Sequence, residues 1–333
     1  EEFGEAGLTI LRRAYGAKLF TPVWTATGSR SLRRALDKSI EHGIYSKAIF
    51  GGNYEKLLRQ RFQSRSLEKQ AEADLELSLV WLRYAQALSG DLSEEAGMTY
   101  PKETPVARFN LPASLLSSAK GSSEATLASL APDAPQYHAL KDALHRYREI
   151  SRKGGWLAIR SGGTIELGDT DERVPALRKR LSKEGFEVLD AYADPLERSL
   201  LSTQVIQPNG APEDVPVDDV DSEFLMDFGT VYALKSFQKH HGLETDGILG
   251  DNTLRALNES VESKINRIAE SMNRWRLQGD LGERYIWANI PSYTAEGWNE
   301  GHLEISQRTI VGKAHYATPE FSDEVEYLVA NPK

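Results

Sequence analysis

FQKHHGLETDGILGDNTLRALN, residues 237–258, decides the reading of this chain. The stretch opens on the end of an amphipathic helix, closes it with Gly242 and the apolar Leu243, and turns through Asp246-Gly247 and Gly250 into a second helix. A glycine just past a helix takes left-handed backbone without a Cβ penalty, and the apolar residue after it folds back on the last turn. Asp251 is placed to cap the second helix, whose inner face is Leu254 and Leu257. A near-copy lies 57 residues upstream, in RVPALRKRLSKEGF, Arg173–Phe186. Val174 aligns with Val231, Leu177 with Leu234, Gly185 with Gly242 and Phe186 with Leu243. Each copy reads as an amphipathic helix with the same glycine-apolar ending.

Between the copies, Glu213–Glu223 carries six acids with prolines nearby and reads as a solvated linker or mobile loop. Upstream, Gly154-Gly155-Trp156 ends a helix over Gln136–Ile150 that places Tyr137, Leu140, Leu144 and Tyr147 on one side. Residues 156–168 predict a short hairpin around Gly162-Gly163, with Leu157 and Ile159 on one arm and Ile165 and Leu167 on the other. No phosphate-loop pattern accompanies those glycines.

Residues 5–90 read as mainly helical. Leu8, Leu11, Ala14 and Tyr15 form one face, Thr21-Pro22-Val23-Trp24 breaks it, and Ser31 is placed to cap a helix ending at His42-Gly43. Leu75, Leu79, Leu82 and Tyr84–Leu88 continue the apolar pattern. A loop is expected over 89–112 and one or two short helices over 113–130. Downstream, Asn258–Leu277 reads as a polar amphipathic helix; Arg284–Pro291, Glu304–Gly312 and Glu324–Ala330 read as strands.

The 333 residues carry 40 Lys and Arg against 49 Asp and Glu, a formal charge of −9, which argues against a general nucleic-acid binder. With 40% hydrophobic and 27% charged residues the composition is that of an ordinary globular protein of two or three domains. The chain has no cysteine, so disulfides, thiolate zinc sites and a cysteine nucleophile are excluded within it. It opens on Glu1 with no signal segment, and a processed start is the expectation.

The segment Phe237–Asn258, with its FQ, glycine-apolar and D-G-x-x-G-x-x-T-x-x-A-L pattern, resembles the second half of a small helical peptidoglycan-binding domain. APDAPQYHALKDALHRYREISRKGGW (131–156), LGDTDERVPALRKRL (167–181) and SMNRWRLQGDLGERYIWANIPSY (271–293) resemble the YcbB-like branch of the L,D-transpeptidases. TIVGKAHYATPEFSDEVEYLVANPK (309–333) resembles the opening strands of their YkuD-type catalytic domain. The resemblance implies a multi-domain, mainly α chain: a helical scaffold over 1–155, a peptidoglycan-binding-like module over 156–258 with an acidic insertion near 190–227, a returning scaffold helix over 259–280, and the N-terminal part of the catalytic domain over 281–333. It also implies export to the periplasm or cell envelope, attachment to the inner membrane through a preceding segment, and peptidoglycan stem peptides and glycan as partners. No nucleic acid, metal or organic cofactor is implied.

Such enzymes form 3→3 cross-links through a cysteine acyl-enzyme. A thiolate attacks a tetrapeptide donor, the terminal D-residue leaves, and an amine of a second stem captures the acyl group. The family's cysteine lies well after the asparagine-proline matching Asn331-Pro332. The chain is therefore expected to be a fragment of a longer enzyme, inactive alone and without a catalytic residue of its own. The alternative is a non-catalytic peptidoglycan-binding or scaffold protein of the cell wall.

The residues placed against substrate are Asp246, Trp298, His315 and Tyr316. Asp246 also suits bonding to backbone in its turn. Trp298, beside Gly297 and Asn299, is expected exposed, for stacking on a sugar or stem peptide; His315 and Tyr316 fall where the family's cleft begins. Trp275 and Trp287 read as buried anchors between domains. His240-His241 lacks a third ligand at metal spacing and reads as a polar helix end. His138 and His145 read as solvated or packing residues, and Arg178-Lys179-Arg180 as a solvated face, with contact to anionic wall polymer as the alternative. Ser292 and Thr318 lack a base partner.

Overall fold

The computed structural model describes residues 4–45, 49, 53–90, 110–188, 223–278, 281–313, 315–319, 323 and 325. The chain forms two compact units, Glu1–Leu144 with Arg267–Lys333, and His145–Asn266. It is mainly helical, and a three-stranded antiparallel sheet follows the helices. The acidic stretch, nearly all of the 89–112 loop and the strand over 324–330 lie outside the described residues, apart from short flanking pieces.

The first unit is built from α1 (Gly4–Gly16), α2 (Ala26–Asp37), α3 (Tyr54–Gln63), α4 (Leu67–Ser89), α5 (Leu111–Ser117) and α6 (Ser123–Ala128). The first part of α7 (Pro135–Arg152) also belongs to it. Leu11, Trp24, Leu32, Leu77, Trp81, Leu88, Leu115 and Leu127 make its core. Leu8 and Leu75, assigned to apolar faces, are exposed. Helix α2 is capped by Thr25, whose hydroxyl accepts from the Gly28 N–H at 3.0 Å; Ser31 sits buried inside the helix instead. The Trp24-Thr25 pair fixes that entry earlier than Ser31 could, because the Val23 and Trp24 N–H groups both donate to the buried Asp74 carboxylate, at 2.9 and 3.0 Å. Asp74 also accepts from the Tyr15 hydroxyl at 2.8 Å and from Arg61 Nε at 2.6 Å. A buried carboxylate is tolerable only when its lone pairs are filled in this way.

Between α5 and α6 the helix widens into a π turn over Ser118–Ser122, with Gly121 at φ 145°. The widening frees the Ala119 carbonyl, which accepts from the Thr25 N–H at 3.0 Å and the Thr25 hydroxyl at 2.9 Å. Gly28 allows the approach: a Cβ there would stand 1.9 Å from the Ala119 oxygen. Elsewhere in this unit, His42 Nδ1 lies 2.9 Å from the Tyr137 hydroxyl. Burial, then the charges of Lys141 and Arg276, push its imidazole down to about 3, so the ring is neutral at pH 7.

The second unit contains the end of α7, α8 (Val174–Glu184), α9 (Phe228–His240), α10 (Asp251–Leu257) and the start of α11 (Val261–Gln278). The two repeat helices end alike. Gly185 takes φ 91° and the Phe186 N–H donates to the Leu181 carbonyl; Gly242 takes φ 66° and the Leu243 N–H donates to Gln238. Val174, Leu177, Leu181, Leu234, Phe237 and Leu257 are fully buried in the shared core. The hairpin expected over 156–168 does not form. Ile165 pairs antiparallel with Leu249, and Asn258 holds the Ile159 backbone through its side chain, so long-range partners replace the local arm. Asp251 lies in the first turn of α10, whose cap position is Gly250 with no side-chain bond. The helix read through from Asn258 breaks there and restarts at Val261.

In the sheet, β1 (Arg284–Asn289) pairs with β2 (Thr294–Asn299), and β2 with β3 (His302–Arg308). Strand β2 lies between the two predicted strands and is defined by its pairing on both sides. Every residue of β3 is exposed, and Ile286, Leu303 and Ile305 stand open to solvent.

Alanine for glycine in an exposed helix interior stabilises by about 1 kcal/mol. Gly28→Ala is expected to reverse that sign and destabilise the first unit by about 1–3 kcal/mol or more, since backbone stands where the methyl would go. Calorimetric unfolding reads it, and an unchanged or raised midpoint would refute the close approach.

Candidate functional site

Helix α8 presents two faces of different character. Leu177 and Leu181 enter the core, and Arg180 and Glu184, four residues apart, go in with them. Arg180 Nη1 donates to Glu184 Oε2 at 2.7 Å, and its Nε donates to the Leu257 carbonyl at 2.8 Å. Its guanidinium carbon lies 3.5 Å over the Trp156 ring. Lys264, from α11, donates to the other carboxylate oxygen of Glu184 at 2.9 Å; the Tyr147 hydroxyl donates to that oxygen, and His241 Nε2 stands 3.5 Å from it. Burial raises the Glu184 carboxyl, but the His241 bond, the Arg180 and Lys264 charges and the Tyr147 bond outweigh it and hold the group well below the ordinary 4.5. Burial also lowers Lys264, against the pull of Glu184.

The run Arg178-Lys179-Arg180 is therefore not one solvated face. Arg178 donates to Thr230, to the Leu225 carbonyl and to Asp227, the cap of α9. Arg180 is buried, and Lys179 alone is exposed.

Beside Trp156 a cleft of about 540 Å³ opens between the 153–160 segment and α8. Trp156, Leu157, Ala158 and Ile159 supply an apolar wall. The charged lining is Lys153, Arg160, Arg173, Lys179, Arg180 and Lys183, against the single acid Glu172. Glu172 is engaged by Arg160 at 3.0 Å. Arg173 is held by Asp171 and donates to the Gly163 carbonyl. The Arg173 bond is the main reason the Asp171 carboxyl lies below its ordinary value.

None of the four residues placed against substrate lines this cleft. Asp246 Oδ1 accepts from the Ile248 N–H at 2.8 Å and from Gln238 Nε2 at 2.7 Å. Gln238, buried and aligned with no polar residue of the first repeat, also bonds Thr253 and the backbone of Gly247 and Ile248. The FQ…D-G…T pattern is thus the hydrogen-bond frame of a tight turn, and Gln238 is its centre. Trp298 is half-buried, stacked on Tyr285 at 6.2 Å with its Nε1 donating to Glu296. His315 and Tyr316 are exposed in a short turn closed by Lys313 and Tyr316. Trp275 and Trp287 are half-buried and stack on each other at 4.9 Å. His240 and His241 pack on Phe186 and Phe237. Among the described residues no group of three or more histidines and carboxylates could hold a metal ion.

Comparison with protein families bears on both units. Residues 9–144 match the family model described as "Scaffold domain", and residues 225–257 match that described as "Putative peptidoglycan binding domain". The second match covers α9, the Gln238–Asp246 turn and α10. No match to a transpeptidase catalytic domain accompanies them. A search of curated proteins found no match.

Glu184→Gln leaves two buried cations without a counter-charge and is expected to cost the second unit about 3–5 kcal/mol at pH 7. The stability from a depressed carboxyl is present above its unfolded value and is lost as pH falls through about 4.5 toward the folded value. The midpoint gap between wild type and E184Q should accordingly narrow below pH 4.5; a gap constant down to pH 3 would contradict the assignment. Gln238→Leu strands the Gly247 N–H and should cost about 1–3 kcal/mol by chemical denaturation.

Proposed function

We propose that this chain is the wall-binding part of a peptidoglycan L,D-transpeptidase, acting in the cell envelope. The observation that carries the reading is the joint presence of a scaffold match over 9–144 and a peptidoglycan-binding match over 225–257 in one chain. The peptidoglycan-binding match supports peptidoglycan as the partner and the cell wall or envelope as the place of action. The chemistry assigned to the parent enzyme is formation of 3→3 cross-links by a cysteine acyl-enzyme, and none of the 333 residues is cysteine. The chain's own contribution is then to bind wall and to carry the sheet β1–β3. That sheet, open to solvent on β3 and at Ile286 and Ile305, supports its reading as part of a larger β domain. No helix among the described residues is long and apolar enough to cross a membrane.

A second reading has its own support in the missing cysteine: a non-catalytic wall-binding scaffold. Asp246, Trp298, His315 and Tyr316 remain proposed substrate contacts under the first reading. Of these, Asp246, His315 and Tyr316 are exposed, Tyr316 at 83%.

The full chain is expected to co-sediment with purified sacculi and to generate no 3→3 dimers from tetrapeptide muropeptides. Failure to sediment would remove the binding role, and dimer formation would remove the requirement for cysteine. A Ser-His-Gly-Cys segment further along the same reading frame decides for the enzyme, and a stop after the Lys333 codon for the scaffold.

A further inference from the structure

The cleft beside Trp156 holds more positive charge than the described residues neutralise. Ala176, Lys179 and Lys183 stand three or four residues apart on α8 and line it together, with the buried Arg180 beside them. Lys179 and Lys183 have no acidic partner among the described residues, whereas Arg160, Arg173 and Arg180 each have one. Under the cleft, Arg180 and Lys264 share the single carboxylate of Glu184, so the buried set carries a net positive charge.

Two donors are also left over. Arg173, 7% exposed, and Arg180, 2% exposed, both line the cleft. Arg173 Nη1 and Arg180 Nη2 are enclosed and have no hydrogen-bond acceptor among the described residues, so both guanidinium groups add positive charge behind the cleft wall. The opposite wall is apolar, with Leu157 88% exposed beside Trp156 and Ala158.

We infer that this cleft binds a carboxylate of a peptidoglycan stem peptide, its oxygens taken by Lys179 and Lys183 in the positive field of Arg173 and Arg180, and its aliphatic body lying on Leu157. The inference rests on the wall-binding reading and names which part of the wall is recognised. The N-acetylated glycan is uncharged and has no claim on the unpaired Lys179 and Lys183, whereas stem peptides carry free carboxylates. A phosphate polymer meets the charge but not the apolar wall.

The test uses the full chain and four probes at matched ionic strength: the free tetrapeptide L-Ala-γ-D-Glu-diaminopimelate-D-Ala, its carboxamide form, inorganic phosphate, and the N-acetylglucosamine tetramer. Calorimetry should show the tetrapeptide binding at least tenfold more tightly than the other three, with affinity falling as salt rises. Lys179→Gln with Lys183→Gln, both on the exposed side of α8, should weaken tetrapeptide binding at least tenfold and reduce sacculus sedimentation in parallel, with an unchanged unfolding midpoint. Ala176→Glu, which sets an anion in the cleft, should do the same. Phosphate binding as tightly as the tetrapeptide would overturn the stem-peptide assignment. Wild type and variants sedimenting equally would overturn the cleft while leaving wall binding intact. A wild-type chain that does not sediment would overturn the wall-binding reading and this inference with it.

Discussion

The carboxylate of Glu184 is the constraint around which the second unit is arranged. Burying a charge is costly unless it is paired and hydrogen-bonded. Here one side chain is met by Arg180 from its own helix, Lys264 from α11 and Tyr147 from α7. Each partner is then fixed in turn: Arg180 by the Leu257 carbonyl and the Trp156 face, Lys264 by its place among the rings of Tyr147, Trp156 and Phe237. The order of these elements follows from the need to bring donors to one point, which apolar packing alone does not specify. Because the donors outnumber the acceptor, the same arrangement sets the sign of the potential in the neighbouring cleft.

The first unit solves a similar problem with Asp74. Its carboxylate takes two backbone N–H groups from the Val23-Trp24 entry of α2, the Tyr15 hydroxyl and Arg61. Arg61 also donates to the Trp24 carbonyl, and Trp24 Nε1 to Ser78, so the large Trp24 ring is held at both ends. In both units a buried acid organises helices that the hydrophobic pattern alone leaves free to slide.

Local rules made part of this legible. The two helix ends at Gly185 and Gly242 were readable because a Schellman ending needs only a glycine and an apolar residue in sequence. The helical class followed from periodicity in the same way. Features set by distant partners were not readable. The alternation around Gly162-Gly163 suits a hairpin, but Ile165 finds Leu249 and Ile159 finds Asn258. Strand β2, TAEGWN, has little of the β-branched signal that marks a strand, and its partners on both sides define it. For the cleft, a signal was present and outweighed: Arg180 and Glu184 fall on the stripe of Leu177 and Leu181, which contradicts a wholly solvated Arg-Lys-Arg run. Gln238 was visible in the FQ pair, yet its part as the hub of the turn depends on where Asp246 and Thr253 come to rest.

The contact of Thr25 with the Ala119 carbonyl joins residues 94 apart in sequence. A helical domain ordinarily assembles from neighbours and does so fast. Here the π turn and the entry of α2 complete each other only after that long stretch of chain has come round, and each doubling of a loop adds about 0.6 kcal/mol to its closure. Helix formation in this unit can therefore run ahead of helix docking, with the meeting of Gly28 and Ala119 a late, collective step in folding.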